Sequence, residues 1–542
     1  MRSSTDVLVV GAGPVGLLLA CELQRLNVDY LLVERSSQRS YFCKALGVTP
    51  RTLELFESLG IAQEGIDSGV WLTGQTNFEN GVETGSHDLN WDGLPYGFLA
   101  LPQYDTERIL EACLNRYGGS VSRGLTLTEF AESGNRVIAR VRDSRGAILP
   151  IDCRWLVGCD GARSAVRKGL DLEFEGEKYP MGFALGDVEL DWERPRGRAY
   201  RFTQTIEGQM QNGMVAIPIR GSTRRYRISM GKPEPGAAEI REEVGAEAQT
   251  SPSLEELKAL AAPMLPPGTH LSNLKWSSFY RISHRIVPCY SVGNVFLAGD
   301  AAHIHPPIGG LGMNTGLQDA HNLSWKLALV ASGMAAPGLL DSYSAERHPV
   351  GLSVVGETSR AMDEAISSGW RPRSAGDHES QLYIHYRDSA CVQDDVPAEQ
   401  DNPEAPRAGD RAPDVFGLGQ PFVAHRSRLR ERLELGNHLL IGYLSGNSSE
   451  SDQRSLADLL SIIQRRLDPR VSGIVILDRN AHFIDCELIP AIFDNDSSFK
   501  KVYQARSGMV WLIRPDGHIA WRCERADPDR LALFFDRIAK TQ

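Results

Sequence analysis

The stretch Asp6-Val-Leu-Val-Val-Gly-Ala-Gly-Pro-Val-Gly16 decides the architecture. Residues 6–10 form a short apolar run, as a strand buried on both faces should. A glycine turn follows at once, and beyond Pro14 the residues Val15, Leu18, Leu19, Leu23 and Leu26 recur at helical spacing. Asp29-Tyr-Leu-Leu-Val-Glu34 then reads as a second strand. Strand, turn, helix and strand make a βαβ unit. Gly11, Gly13 and Gly16 let the backbone turn tightly and approach a pyrophosphate, and the helix N-terminus offers that anion free N–H groups and a partial positive charge. Glu34 ends the second strand, where an acid accepts hydrogen bonds from ribose hydroxyls.

A second glycine-rich stretch stands far downstream, from Val295-Phe-Leu-Ala-Gly-Asp300 through His303-Ile-His-Pro-Pro307 to Gly309-Gly-Leu-Gly-Met-Asn314. It reads as a strand ended by Gly299-Asp300, a loop stiffened by Pro306 and Pro307, and a helix from about Met313. Gly309, Gly310 and Gly312 let that loop approach a flat ligand closely, and the positive helix end suits a flavin that turns anionic on reduction. Two grips so far apart in the chain predict one long ligand held at both ends, and FAD fits. His303 and His305 read as loop packing, with no third ligand spaced for a metal.

The chain has 542 residues, enough for two to four domains, and ordinary hydrophobic and charged fractions for a soluble enzyme. A net charge of −11 argues against nucleic acid or an anionic membrane as the main partner. No apolar run reaches the ~20 residues of a membrane span, and the N-terminus enters a strand too early for a signal peptide. Nine scattered cysteines without Cys-x-x-Cys read as reduced thiols in a cytoplasmic protein.

Between the two grips, Arg51 to Gly60 reads as an amphipathic helix with a glycine C-cap, and a helix follows Pro102-Gln103 from about Tyr104. Trp155-Leu-Val-Gly-Cys-Asp160 reads as a buried strand running into Gly161, with Asp160 either a ligand contact or a helix N-cap. Residues 179–275 alternate polar and apolar, notably over 213–219 and 225–230, and predict an antiparallel sheet. A Pro-, Asp- and Glu-rich linker near 396–407 precedes a C-terminal region with strand-like runs at 474–478 and 509–514.

Taken in order, Gly11-x-Gly-x-x-Gly16 with Glu34, Pro102-Gln103, Asp160-Gly161, Gly299-Asp300-Ala-Ala-His303, Pro306-Pro307, Met313-Asn314 and the run Leu339 to Arg347 resemble the class A flavoprotein monooxygenases. That family includes para-hydroxybenzoate, phenol and aromatic polyketide hydroxylases. The likeness covers about the first 350 residues. Weaker similarity at Tyr386-Arg-Asp-Ser, Gly409-Asp-Arg-Ala-Pro413 and Arg514-Pro-Asp-Gly517 resembles the longer branch of phenol and polyketide hydroxylases. The implied fold is α/β with an α+β insert. A Rossmann-like FAD-binding domain would occupy 1–178, with a substrate-domain excursion at about 72–100, and 276–395. An antiparallel-sheet substrate domain would occupy 179–275, and a thioredoxin-like C-terminal domain 396–542. Lacking Cys-x-x-Cys, the last would serve structure or a homodimer contact.

The resemblance implies that FAD is reduced by NAD(P)H, that O2 adds to give a flavin C4a-hydroperoxide, and that a small phenolic or polycyclic aromatic substrate is hydroxylated. Gly11, Gly13, Pro14, Val15 and Gly16 would hold the pyrophosphate, Glu34 the ribose, and Arg35 or Lys44 the adenosine side. Gln103 and Asp300 would meet the ribityl chain, Asp160 would serve both FAD and the nicotinamide donor, the backbone at Met313 and Asn314 would face the flavin pyrimidine, and Gly299, Pro307, Gly310 and Gly312 would also bind FAD. Pro307 would lie beside the substrate ring, with Phe202, Met214, Ala216 and Pro218 as expected ring contacts. Arg220 would pair with a substrate carboxylate or stand as a solvated turn residue. Leu46 falls where phenol hydroxylases carry a catalytic aspartate, so a base of that type is not expected. Trp71, Trp91 and Tyr96 would border the pocket or fill core. Epoxidation or Baeyer–Villiger oxidation of a polyketide, a flavin oxidase, and a non-catalytic FAD-binding protein are the alternatives.

Overall fold

In the computed structural model the Gly-x-Gly-x-x-Gly turn joins strand Ser4–Val10 to helix Pro14–Arg25. The structure describes residues 3–39, 45–232, 251–368, 377–420, 423–433, 436–446, 454–456, 458–459, 461, 465, 470–481, 490–525 and 527–539. Ser4–Val10 pairs in parallel with Tyr30–Glu34 on one side and with Ile148–Gly158 on the other, and Ile148–Gly158 pairs in parallel with Val295–Leu297. Val10 lies beside both Val33 and Gly158, and Gly158 lies beside Leu297, so the four strands end level. Their carboxyl ends deliver Gly11, Glu34, Asp160 and Asp300 to one edge, where open parallel sheets bind ligands. Residues 7–10, 32–33, 155–158 and 295–297 of these strands are buried, which is why these stretches read as apolar runs.

A second sheet of eight strands runs in the order His303–Ile304, Leu271–Ile286, Glu175–Leu190, Arg225–Lys232, Gln209–Pro218, Arg198–Ile206, Gly74–Glu79 and Val82–Asp88. Its two faces differ. Tyr200, Phe202, Met214, Ala216, Tyr226, Ile228 and Met230 pack against Leu257 and Ala261 of helix Leu254–Ala261. The opposite face directs Ile217 and Ile219 to Leu46, Leu72, Phe98 and Ala100, and Phe183 and Tyr280 to Ile308.

By packing, the chain divides into two compact units, residues 1–21, 29–320 and 348–382, and residues 22–28, 321–347 and 383–542. The first carries both sheets just described. The second carries a seven-stranded sheet in which His438–Leu444 pairs in parallel with Val471–Asp478 and antiparallel with Val510–Ile513. Leu439, Ile441, Ile476, Phe499, Tyr503 and Trp511 form its core. Within this unit Glu346 is fully buried and accepts from Arg514 Nη1 at 2.7 Å and Nη2 at 2.9 Å, from Lys326 Nζ at 2.7 Å and from Asn322 Nδ2 at 2.7 Å. Arg514 also binds Asp516, and Arg347 Nη1 donates to the Tyr386 hydroxyl at 2.9 Å. Burial opposes ionisation of Glu346, but Arg514 and Lys326 override it and hold the carboxyl far below the usual range. Among the described residues no helix is long and apolar enough to cross a membrane.

Candidate functional site

The first grip is fixed by close approach. A Cβ on Gly16 would lie 1.9 Å from the Gly11 carbonyl oxygen, so the turn tolerates only glycine there. A Cβ on Gly13 would meet nothing within 4 Å. The turn therefore keeps clear the space that a pyrophosphate needs for close backbone contact. Pro14 and Val15 begin the helix, whose first turn presents its N–H groups to the same space. Glu34 accepts from Ala12 N and Ser36 N, each at 2.9 Å, one on each carboxylate oxygen. Its remaining lone pairs suit ribose hydroxyls.

The second grip packs directly on the first. A Cβ on Gly299 or on Gly316 would come within 2.8 Å of Val15 Cγ2, and Gly316 would also meet the Gly299 Cα at 2.9 Å. Asp319 secures this junction by accepting from Gly299 N at 3.1 Å and by bonding His303 Nε2 at 2.8 Å. Asp300 is exposed at the end of the strand. Gly309 and Gly310 both adopt left-handed backbone, and the 3-10 turn Ile308–Gly310 runs straight into helix Leu311–Ala331. The helix therefore starts at Leu311, earlier than the expected Met313. Gly312 and Met313 lie in its first turn, half-buried. Buried Asn314 donates to Gly47 O at 2.9 Å and Gly310 O at 2.7 Å while accepting from Thr49 N at 3.0 Å. Its side chain thus braces the loop, and only its backbone is available to a ligand.

Gln103 opens helix Gln103–Arg116, donating from Nε2 to Glu107 Oε1 at 2.9 Å and accepting from Ala45 N at 3.4 Å. Ser164 is the N-cap of helix Ala165–Gly169, and Asp160 supports the same helix start: its Oδ2 accepts from Ala165 N at 2.6 Å and Val166 N at 3.3 Å. Its Oδ1 is buried and has no partner among the described residues, and burial raises its pKa. Arg35 is exposed, and Lys44 lies outside the described residues. The sequence reading missed Arg167, which donates to Ala162 O and Ala301 O and so ties the Asp160 turn to the Gly299-Asp300 turn. A basic residue closing the Asp160-Gly161 motif was its only visible signal.

His305 Nδ1 lies 2.8 Å from Pro306 O, so Nδ1 carries the proton and Nε2 is left as an acceptor. That Nε2 is buried without a partner, 3.3 Å from where a Gly312 Cβ would be, and burial lowers the ring's pKa to about 4. Cleared space at Gly13, an acid on the ribose side, two orphaned buried polar atoms and a left-handed glycine loop at a helix mouth all fit FAD. Asp300→Ala is expected to weaken FAD binding roughly tenfold, the effect of one lost hydrogen bond to a charged group. Titration of apo-protein by flavin fluorescence reads it, and unchanged affinity would remove Asp300 from the site.

The expected ring contacts lie on the helix-covered face of the eight-stranded sheet. Phe202, Met214 and Ala216 belong to the helix-covered core, and Pro218 shares their phase on the same alternating strands. A one-residue change of phase moves every side chain to the other face, and the bulkiest apolar side chains went where a helix covers them. The face toward Leu46 and Phe98 carries Ile217, Arg227, Ser229 and Tyr280 instead. Arg227 forms a buried bidentate pair with Asp187 at 2.7 and 2.9 Å, the Ser229 and Tyr280 hydroxyls lie 3.0 Å apart, and Phe183 stacks on Tyr280 at 5.6 Å. Arg220 is exposed and reaches Ser68 Oγ at 3.4 Å, which is a turn position. Pro307 is exposed beside half-buried Ile308, and Leu46 is core. Trp71, Trp91 and Tyr96 are half-buried.

Residues 4–358 match the family model described as FAD binding domain. The chain is 31% identical over 542 residues to the protein named "Uncharacterized aromatic compound monooxygenase YhjG" of Bacillus subtilis strain 168, covering 98% of this chain and 96% of that one. It is 34% identical to pentachlorophenol 4-monooxygenase of Sphingobium chlorophenolicum, with the same coverage of 98% and 96%. Among solved structures, aklavinone-11 hydroxylase bound to FAD and aklavinone superposes with a TM-score of 0.77 at 26% identity, over 99% of both chains.

Proposed function

The chain belongs to the FAD binding domain family of flavin-dependent aromatic monooxygenases, and we propose that its substrate is a phenolic or polycyclic aromatic compound seated between Pro307-Ile308 and the Ile217 face of the eight-stranded sheet. It is an FAD-dependent monooxygenase that consumes a reduced nicotinamide donor and O2. When bound, FAD would supply hydride acceptance from that donor and the activation of O2 needed to transfer one oxygen atom to the ring. The observation that carries the reading is the packing of Gly299 and Gly316 onto Val15, which joins the two grips into one cradle.

The chain's own contribution is binding, orientation and exclusion of water. The Gly11–Gly16 turn and helix Pro14–Arg25 would take the pyrophosphate, Glu34 the ribose, and Asp300 and Gln103 the ribityl chain. Leu46, Phe98, Ile217 and Ile219 make a dry wall beside the glycine loop. Arg227 and Asp187 neutralise each other, so Asp187 does not stand ready as a free base in that wall. The Tyr280 and Ser229 hydroxyls are the polar pair that can orient a substrate oxygen. Burial raises the Tyr280 pKa, so it remains a hydrogen-bond donor.

The test is direct. Yellow purified protein should oxidise NADH or NADPH slowly alone and faster with a phenolic compound, with matching O2 uptake and a hydroxylated product. Stimulation without product, at any phenol tried, would favour an oxidase. We infer further that the C-terminal unit is thioredoxin-like without dithiol chemistry, supported by its central parallel pair His438–Leu444 and Val471–Asp478. A cytoplasmic location and a homodimer complete the proposal.

A further inference from the structure

We propose that Glu107 is a positioning residue of the FAD site, a neutral acid that fixes the Gln103 amide, and that flavin is held less tightly once this carboxyl ionises. The proposal rests on the placement of Glu34 and Gln103 at the cofactor. Glu107 stands four residues after Gln103 on the same helix, so the two side chains share a face. It is only 8% exposed. Its Oε1 accepts from Gln103 Nε2 at 2.9 Å, and Gln103 Oε1 accepts from Ala45 N at 3.4 Å. The amide is thereby oriented, nitrogen toward Glu107 and oxygen toward Ala45.

Three charges face Glu107 among the described residues: Glu34 from the end of Tyr30–Glu34, Arg39 beyond it, and Arg123 from the short strand Ser122–Arg123. Both cations are engaged by Glu111. Arg123 Nη2 lies 2.9 and 3.0 Å from its two carboxylate oxygens, and Arg39 Nε lies 3.4 Å away. A second negative charge at Glu107 would therefore be buried close to that of Glu34. Burial raises the Glu107 pKa to about 7, with Glu34 adding to the rise against Gln103, Arg123 and Arg39. The FAD pyrophosphate brings more negative charge to the turn that Glu34 braces through Ala12 N. Binding consequently favours the neutral acid. Below about pH 7 the carboxyl is already protonated. Above it, binding must take up a proton, and the dissociation constant rises by as much as about tenfold per pH unit.

The dissociation constant of FAD for apo-protein, measured by flavin fluorescence from pH 6 to 9, tests this. Wild type should weaken at least about tenfold across the range, and Glu107→Gln, which still accepts from Gln103, should stay tight and flat. Glu107→Leu should be weaker at every pH. Proton uptake by wild type on binding FAD at pH 8, followed with an indicator dye in weak buffer, gives a readout free of any variant. A flat wild-type profile, no proton uptake, or a Glu107→Gln profile parallel to wild type would overturn the proposal while leaving FAD binding intact. Failure to bind FAD at any pH would instead overturn the cofactor placement on which it rests.

Discussion

Glu346→Ala is expected to lower the first thermal transition of the protein by roughly 6–20 °C, because removing one partner of a buried ionic cluster costs about 3–5 kcal/mol. The substitution deletes a fully buried carboxylate that Arg514, Lys326, Asn322 and the Ser389 hydroxyl all address. Lys326 and Arg514 then stay buried, with Asp516 as the one carboxylate of the cluster left to balance them. The native carboxyl is held below its unfolded value, so its contribution is present above the ordinary glutamate range near ~4.3 and is lost as pH falls below it. Calorimetry at pH 7 should therefore show the full difference between wild type and variant, and at pH 3 a smaller one. A variant that melts within 2 °C of wild type at pH 7 would contradict this account of the cluster. Glu346→Gln keeps one acceptor oxygen but loses the charge and sets an amide NH2 against donors, so it should also melt well below wild type.

The cluster also shows what motif reading reached and what it left out. Glu346 and Arg347 close the run that begins at Leu339, while Tyr386-Arg-Asp-Ser and Arg514-Pro-Asp-Gly517 carried only weak similarity. The structure brings these fragments together: Glu346 on Arg514, Arg347 on Tyr386 and Arg387 on Asp410. Sequence marked these fragments only through likeness to the family, and it gave no sign of which partner each charge takes. The βαβ unit was legible for a different reason. Its pattern is local, with strand, glycine turn, helix and acid within 34 residues of the N-terminus, and the observed elements Ser4–Val10, Pro14–Arg25 and Tyr30–Glu34 follow it closely.

The proposed substrate face was the least legible part of the site. Alternation over Gln209–Pro218 identified two faces and could not say which of them a helix covers. Large apolar side chains drew the reading to Phe202 and Met214, yet a cavity wall must also orient polar groups and can be the more polar side. Arg227 and Ser229, polar residues alternating with the core residues Tyr226, Ile228 and Met230, were the available signal. Nothing in the sequence singles out Glu107, because its burial is a property of the fold.

Gly13→Val separates a binding defect from a folding defect. A Cβ at Gly13 meets no atom within 4 Å, and no left-handed backbone is required there, so the apo-protein should fold and melt as wild type does. The added side chain fills the space that lets the backbone approach the pyrophosphate. The purified variant should be colourless, with FAD affinity reduced by at least ~100-fold, about 2.7 kcal/mol. Gly16→Val should behave differently, since its Cβ would sit 1.9 Å from a backbone oxygen that no rotamer change can move; poor yield and a lowered apo melting temperature are expected. Saturating FAD should raise the melting temperature of wild type and leave that of Gly13→Val unmoved, because a ligand stabilises only the state that binds it. A yellow Gly13→Val protein with wild-type affinity would place the pyrophosphate away from this turn. Equal losses of apo stability in the two variants would instead mean that Gly13, like Gly16, is required by the fold and not by the cofactor.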